Sequence, residues 1–237
     1  MKMVRDTRRA GASLDDGDAF DLRSVGKIVG VGLNYRDHAA ETGLPLPKEP
    51  TLFLKATSAL CGPHDDVVIP RDSKGIDWEV ELGVVIGAPG VYIDERNALD
   101  HVAGYILGID FSERDFQFNR GGQGFKGKSC DSFAPLGPWL ATREEIPDPQ
   151  ALGLRLAVNG VARQSGSTRD MIFSVAELVS YISRFMSLQP GDVILTGTPA
   201  GVGLGQKPPT YLEPGDIVTA SIDGLGEQTH KVVAQRS

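Results

Sequence analysis

GIDWEVELGVVIG, residues 75–87, puts Asp77, Glu79 and Glu81 at every second position of what otherwise reads as a buried apolar strand. Side chains alternate across a strand, so the three acids share one face, while Ile76, Trp78, Val80 and Leu82 share the other. One reading is a half-exposed antiparallel strand with its acids in water. Two features weigh against it. Like charges at neighbouring same-face positions repel, and Val85 in the continuing GVVIG falls on the acid face, where it needs cover. Acids that are partly buried need a positive partner, because an unpaired buried carboxylate is costly. A divalent cation is the simplest candidate.

The 237 residues are 41% hydrophobic, enough for a sizeable core in one large domain or two small ones. With 24 basic and 31 acidic residues the net charge is -7, and no stretch concentrates Lys or Arg into a nucleic-acid surface. A small anionic substrate would therefore need a local positive charge. Apolar runs are broken by Gly and Pro well short of a membrane span, so neither nucleic acid nor membrane is expected as a partner. Two cysteines, Cys61 and Cys130, and the lack of a hydrophobic leader argue against a disulfide scaffold and against secretion; a cytoplasmic location is the expectation.

Residues 1–24 are polar and weakly periodic, and read as a loosely ordered arm ahead of a single domain over 25–237. From Lys27 onward short strand patterns dominate: KIVGVGL, TLFLKA, DVVIP, WEVELGVVIG, AGYILGIDF, LRLAVNG, DVILTGT and DIVTASIDG, punctuated by Gly, Pro and Asp. One long helix is expected over SVAELVSYISRFMS, where Ser174 and Glu177 make a capping box and Val175, Val179, Ile182 and Met186 recur on one face. LQPGD and LEPGD are two Pro-Gly turns feeding strands, too few for a repeat architecture.

Asp110 interrupts a second strand pattern, between Ile109 and Phe111, where an aspartate suits a plain strand poorly. Alone it reads equally well as a turn or cap. Taken with Glu79 and Glu81 it makes an oxygen-only set with no His or Cys nearby, which suits Mg2+, with Mn2+ or Ca2+ as alternatives, better than Zn2+. VGLNYRDHAAETG places His38 and Glu41 three apart, on one face if helical, with Asn34 as a plausible cap and Gly43 as a stop. Such a pair suits a general base, though a surface pair without function is the commoner case. GQGFKGKS matches the P-loop string at Gly122, Gly127, Lys128 and Ser129, but DFQFNR precedes it and a proline-rich stretch follows, where a P-loop needs a buried strand and then a helix. Lys128 reads better as a cation on a flexible loop able to close over an anionic intermediate.

GLNYRDHAAE, DWEVELGVVIG, GYILGIDFSERDFQ, KGKSCDSFAPLGPW and LQPGDVILTGTPAGVG, in this order, resemble the fumarylacetoacetate hydrolase family over roughly residues 26–233. The resemblance implies an α+β fold, a mixed rolled β-sheet or barrel with few helices, assembled as a homodimer. It implies a divalent metal held by Glu79, Glu81 and Asp110, with Asp77 outside the ligand set. It implies that His38 and Glu41 activate water on a short lid helix, that Lys128 and Gln117 contact the substrate and its developing oxyanion, and that the hydroxyl or backbone of Thr198 holds the substrate. SERDFQFNRGGQGFKGKSCDSFAPLGPWLATREE and TRDMIFSVAELVSYISRFM look most like the branch acting on 2,4-diketo-3-deoxy sugar acids, also labelled ureidoglycolate lyase. A hydrolase of 2,4-diketo acids releasing pyruvate is the expected activity. Ureidoglycolate lyase, oxaloacetate decarboxylase and diene-dioate isomerase remain open within the family, and a non-catalytic protein stabilised by a structural cation remains open outside it.

Overall fold

In the computed structural model, which describes residues 2–3 and 21–235, the strand Val80–Ile86 is the fourth of a seven-stranded mixed sheet. It pairs antiparallel with Val102–Ile109 on one side and with Val193–Leu195 on the other. Ile28–Val31 and Leu52–Lys55 extend the sheet past Val193–Leu195, the first of them in parallel. Trp139–Thr142 and Lys2–Met3 complete the opposite edge. Every residue of Val80–Ile86 is buried, so the half-exposed reading of this strand does not hold. Complete burial of Val80, Leu82, Val84, Val85 and Ile86 stabilises by about 1.5–3 kcal/mol each. That is enough to carry one buried carboxylate, whose desolvation costs several kcal/mol.

A five-stranded sheet of Val161–Ser167, Gly153–Val158, Ile217–Ile222, Gly226–Ala234 and Val67–Ile69 packs against the first. Leu154, Leu156, Val218, Ala220 and Ile222 join Leu82, Val84 and Ile106 in one continuous core. Strands dominate, and the α-helices of the described residues are short: α1 (Arg36–Thr42), α2 (Arg114–Asn119), α3 (Phe125–Lys128) and α4 (Val175–Ile182). The α+β class and the mixed sheets agree with the sequence reading.

Each of the eight strand patterns read from the sequence forms a strand. Further strands were not expected, among them Trp139–Thr142 and the two longest, Gly226–Ala234 and Val161–Ser167. Gly226–Ala234 alternates correctly, but its inward positions include Gln228 and His230 as well as Val232, so the hydrophobic period is masked. Val161–Ser167 is an edge strand that, among the described residues, ladders with Gly153–Val158 alone, formed by tertiary pairing despite Ser- and Gly-rich composition. α4 carries the expected capping box: Ser174 Oγ accepts from the Glu177 amide at 3.2 Å, and Glu177 Oε2 accepts from the Ser174 amide at 2.6 Å. It stops at Ile182, short of Ser187, where Ser183 Oγ accepts from the Ile93 amide at 2.9 Å and draws the chain into a turn.

Of the arm read over residues 1–24, residue 1 and residues 4–20 lie outside the described residues. Lys2–Met3 pair with Trp139–Leu140, and Asp21 caps a 3-10 turn at Leu22–Ser24, from which Leu22 and Val25 enter the core. No helix among the described residues is long and apolar enough to cross a membrane.

Candidate active site

The acidic strand and its neighbour keep one register. Asp77 pairs with Ser112 and Val80 with Ile109, which leaves Glu79 opposite Asp110 and Glu81 opposite Gly108. The Asp110 amide donates to the Glu79 carbonyl at 2.9 Å, closing the gap between the two short ladders. Cross-strand pairing thus gathers the acids: one carboxylate oxygen from each of Glu79, Glu81 and Asp110 lies within 4.8 Å of the others, and all three residues are buried.

Their compensation is uneven. Lys128 Nζ bridges Glu79 Oε2 at 2.7 Å and Asp110 Oδ2 at 2.6 Å. Arg114 Nη2 reaches Glu79 Oε1 at 2.7 Å, and Lys55 Nζ pairs with Asp110 Oδ1. Among the described residues Glu81 makes no ion pair and, of these cations, feels the charge of Lys128; its Oε2 accepts from the Gly197 amide at 2.8 Å. Burial alone would raise both Glu79 and Glu81. For Glu79 the charges of Lys128 and Arg114 outweigh burial and hold it far below the usual carboxylate range. For Glu81 burial and the negative charges of Asp110 and Glu79 act together and push it well up. Burial lowers the Lys55 ammonium despite Asp110, whereas at Lys128 the pull of Asp110 and Glu79 overcomes burial and raises it. A buried acid such as Glu81 beside two paired ones, in an all-oxygen set, fits a hard divalent cation. Glu79, Glu81 and Asp110 would hold it.

Asp77, on the same strand face, is neither ligand nor solvated. Its Oδ2 accepts from Arg114 Nε at 2.8 Å and Nη2 at 2.6 Å and from the Leu204 amide at 2.9 Å, while Oδ1 accepts from Gly203 and Trp78. It fixes Arg114, and through it Glu79.

α1 carries the His38–Glu41 pair. His38 Nδ1 lies 2.9 Å from Glu41 Oε2, with side chains only 14% and 17% exposed. A carboxylate at Nδ1 selects the Nδ1–H tautomer and leaves Nε2 as the basic nitrogen. Gly43, at φ 69°, ends the helix as expected. Asn34 does not cap it. Tyr35 occupies the cap position without a side-chain bond, and the Asn34 amide instead donates to the Thr196 carbonyl at 2.7 Å and accepts from the Phe173 amide at 2.8 Å. Those bonds tie the start of α1 to the segment 196–205, which also receives Asp37 Oδ2 at the Ala200 amide (3.2 Å) and Glu41 Oε1 at the Gly201 amide (2.9 Å).

Lys128 does not stand on an open loop. It ends α3, is 3% exposed and is locked into the acids, with Phe53 5.1 Å beneath its ammonium. The segment carrying the P-loop string follows α2 rather than a strand, so the string is without its required context. Gln117 Oε1 accepts from Arg114 Nη1 at 2.9 Å, which orients the amide and leaves its NH2 as a donor. The Thr198 hydroxyl proton is already committed, donated to the Val80 carbonyl at 2.9 Å while the oxygen accepts from Gln164 Nε2 at 2.7 Å, so the hydroxyl has no hydrogen left to donate to a ligand. Sequence reasoning missed Lys55 and Arg114. A lysine at the end of TLFLKA reads as snorkelling to solvent, and an arginine in SERD reads as part of a surface charge run.

Comparison with known proteins agrees with this geometry. The family model for the fumarylacetoacetate hydrolase C-terminal region matches residues 27–233. A protein of Burkholderia multivorans, provisionally named a hydrolase, is 59% identical over 213 residues, covering 90% of this chain and 76% of its own. The crystal structure of 2-hydroxyhepta-2,4-diene-1,7-dioate isomerase from Mycobacterium marinum superposes with a TM-score of 0.79 at 38% identity, over 90% of this chain and 76% of that one. The crystal structure of fumarylpyruvate hydrolase from Pseudomonas aeruginosa, in complex with Mn2+ and pyruvate, superposes with a TM-score of 0.80 at 35% identity, over 89% of this chain and 91% of that one. On the match across its whole sheet core and on these relatives, the chain belongs to the fumarylacetoacetate hydrolase family.

Proposed function

We propose that this protein is a divalent-metal-dependent hydrolase that cleaves a carbon-carbon bond in a 2,4-diketo acid, with water, to give pyruvate and a carboxylic acid. The observation that carries the reading is the buried triad with one acid in no ion pair, Glu81, tied through the amides of Gly197 and Gly201 to the Glu41 carboxylate that holds His38 Nδ1. His38 takes a proton from water at Nε2, and Glu41 stabilises the imidazolium that results. The hydroxide equivalent adds to the distal carbonyl. Lys128, held protonated by Asp110 and Glu79, offers positive charge to the oxygen on which charge builds. When bound, a divalent cation supplies Lewis-acid stabilisation of the departing 2-oxo acid. The broken bond's electron pair leaves on the pyruvate carbon, which is then protonated.

The neighbour crystallised with Mn2+ and pyruvate supports this substrate class. The isomerase neighbour favours a second reading, in which the same groups move a proton within a diene-dioate and no water is consumed. Pyruvate release from a panel of 2,4-diketo acids, sugar-acid derivatives and acylpyruvates included, should stop with chelator and return with Mg2+ or Mn2+. Oxaloacetate, a diene-dioate and ureidoglycolate are run alongside. Urea from ureidoglycolate, or isomerisation of the diene, without pyruvate from any diketone would overturn the assignment.

A further inference from the structure

The Glu41 carboxylate has both oxygens committed, Oε2 to His38 Nδ1 and Oε1 to the Gly201 amide, each at 2.9 Å. Its remaining side rests on Gly205. A Cβ placed on Gly205 would fall 2.4 Å from Glu41 Cδ, 2.6 Å from Oε1 and 2.8 Å from Cγ. These are separations that real Cβ atoms do not tolerate, so the carboxylate would have to leave. Other glycines of this loop are excluded from substitution for a different reason. A Cβ on Gly201 meets the Arg163 carbonyl at 1.9 Å, and one on Gly203 meets the Thr210 carbonyl at 2.0 Å, both rigid backbone. Gly205 closes the 3-10 turn Gly203–Gly205 with φ outside the left-handed range, so its backbone accepts any L residue. The crowding there falls on one flexible side chain, and that side chain is Glu41.

We propose that Gly205 is a positioning residue for the His38–Glu41 pair: the space left by its missing side chain is the seat that holds the Glu41 carboxylate against His38 Nδ1. The inference deepens the reading of His38 as base and rests on it. A methyl at 205 pushes the carboxylate off Nδ1, the imidazole loses its fixed tautomer, and Nε2 is no longer reliably the basic nitrogen.

The test is Gly205→Ala, alone and combined with Glu41→Ala. Pyruvate release by Gly205→Ala should fall on the order of 10–100-fold in kcat with KM nearly unchanged, the scale of a misplacement of about 1 Å. On the Glu41→Ala background the same change should cost less than about twofold, because the residue it acts through is gone. Nitrogen-15 spectra of the His38 ring, assigned with His38→Ala, should show the Nδ1–H tautomer in wild type and a mixture in Gly205→Ala, while the Kd for Mn2+ stays constant. An unchanged tautomer, or losses that add on the Glu41→Ala background, overturns the proposal, as does wild-type kcat in Gly205→Ala. If wild type releases pyruvate from no diketone, the assigned reaction falls but the ring spectra still decide the role of Gly205.

Discussion

Glu81→Gln is expected to raise the melting temperature of the metal-free protein while removing most of the stabilisation that metal brings. Two opposite signs from one substitution follow from the uneven compensation of the triad. Without metal, Glu81 is a buried acid facing Asp110 and Glu79 with one backbone donor and no ion pair among the described residues, the charge of Lys128 offsetting only part of the repulsion, which an isosteric amide removes. Because its folded pKa lies above the unfolded value near 4.5, protonated Glu81 favours the fold at low pH, and that contribution is lost as pH rises through the folded value. The advantage of Glu81→Gln over wild type should therefore widen as pH rises from about 4.5, measured by differential scanning calorimetry in chelator. With metal the order reverses. Metal at 100 times its Kd stabilises by about 2.7 kcal/mol, worth roughly 5–10 °C in a chain of this size. Losing an anionic ligand should weaken metal binding by more than the 10–100-fold typical of an outer partner, and pyruvate release should fall with it. A metal-free Glu81→Gln that melts lower than wild type, or that keeps the metal-induced shift, contradicts the assignment.

His38→Ala should lower hydrolysis by about 10²–10⁴-fold, the range for removing a positioned general base, and leave much of any oxaloacetate decarboxylation intact. Hydrolysis needs water activated at Nε2. Decarboxylation expels carbon dioxide from a substrate that already carries the electrons of the breaking bond, so it draws on the triad and Lys128 but on no water. Since His38 touches none of the metal ligands through a hydrogen bond, the Kd for Mn2+ should remain within about twofold of wild type. Initial rates on a 2,4-diketo acid and on oxaloacetate, with the same preparation, make the comparison. Equal loss of both would mean that His38 supports the site as a whole and is not its base.

The triad was legible because acids at alternate positions of an apolar run are hard to explain by solvent, and Asp110 interrupts a second such run. The same alternation misleads at Asp77, which shares the face but holds Arg114 and the amides of Gly203 and Leu204. Nothing local separates the two roles; they are set by which side chain arrives from α2 and from the loop. Lys55 and Arg114 were invisible for a related reason, since a cation becomes part of the site only when the sheet order brings Leu52–Lys55 and α2 beside Asp110 and Glu79. Asn34 shows the limit of cap rules: an amide that can cap a helix can equally tie Thr196 and Phe173, and tertiary bonding won. The roles of His38, Glu41, Gln117 and Thr198 came from family resemblance. For Thr198 the geometry excludes donation by the hydroxyl, whose hydrogen goes to the Val80 carbonyl.

The most direct measurement is anomalous diffraction at the manganese edge from crystals grown with Mn2+. The account predicts one peak bounded by an oxygen from each of Glu79, Glu81 and Asp110 at roughly 2.0–2.5 Å, as oxygen ligands to hard cations require. A peak elsewhere in the chain, or none between these carboxylates at saturating Mn2+, would contradict it.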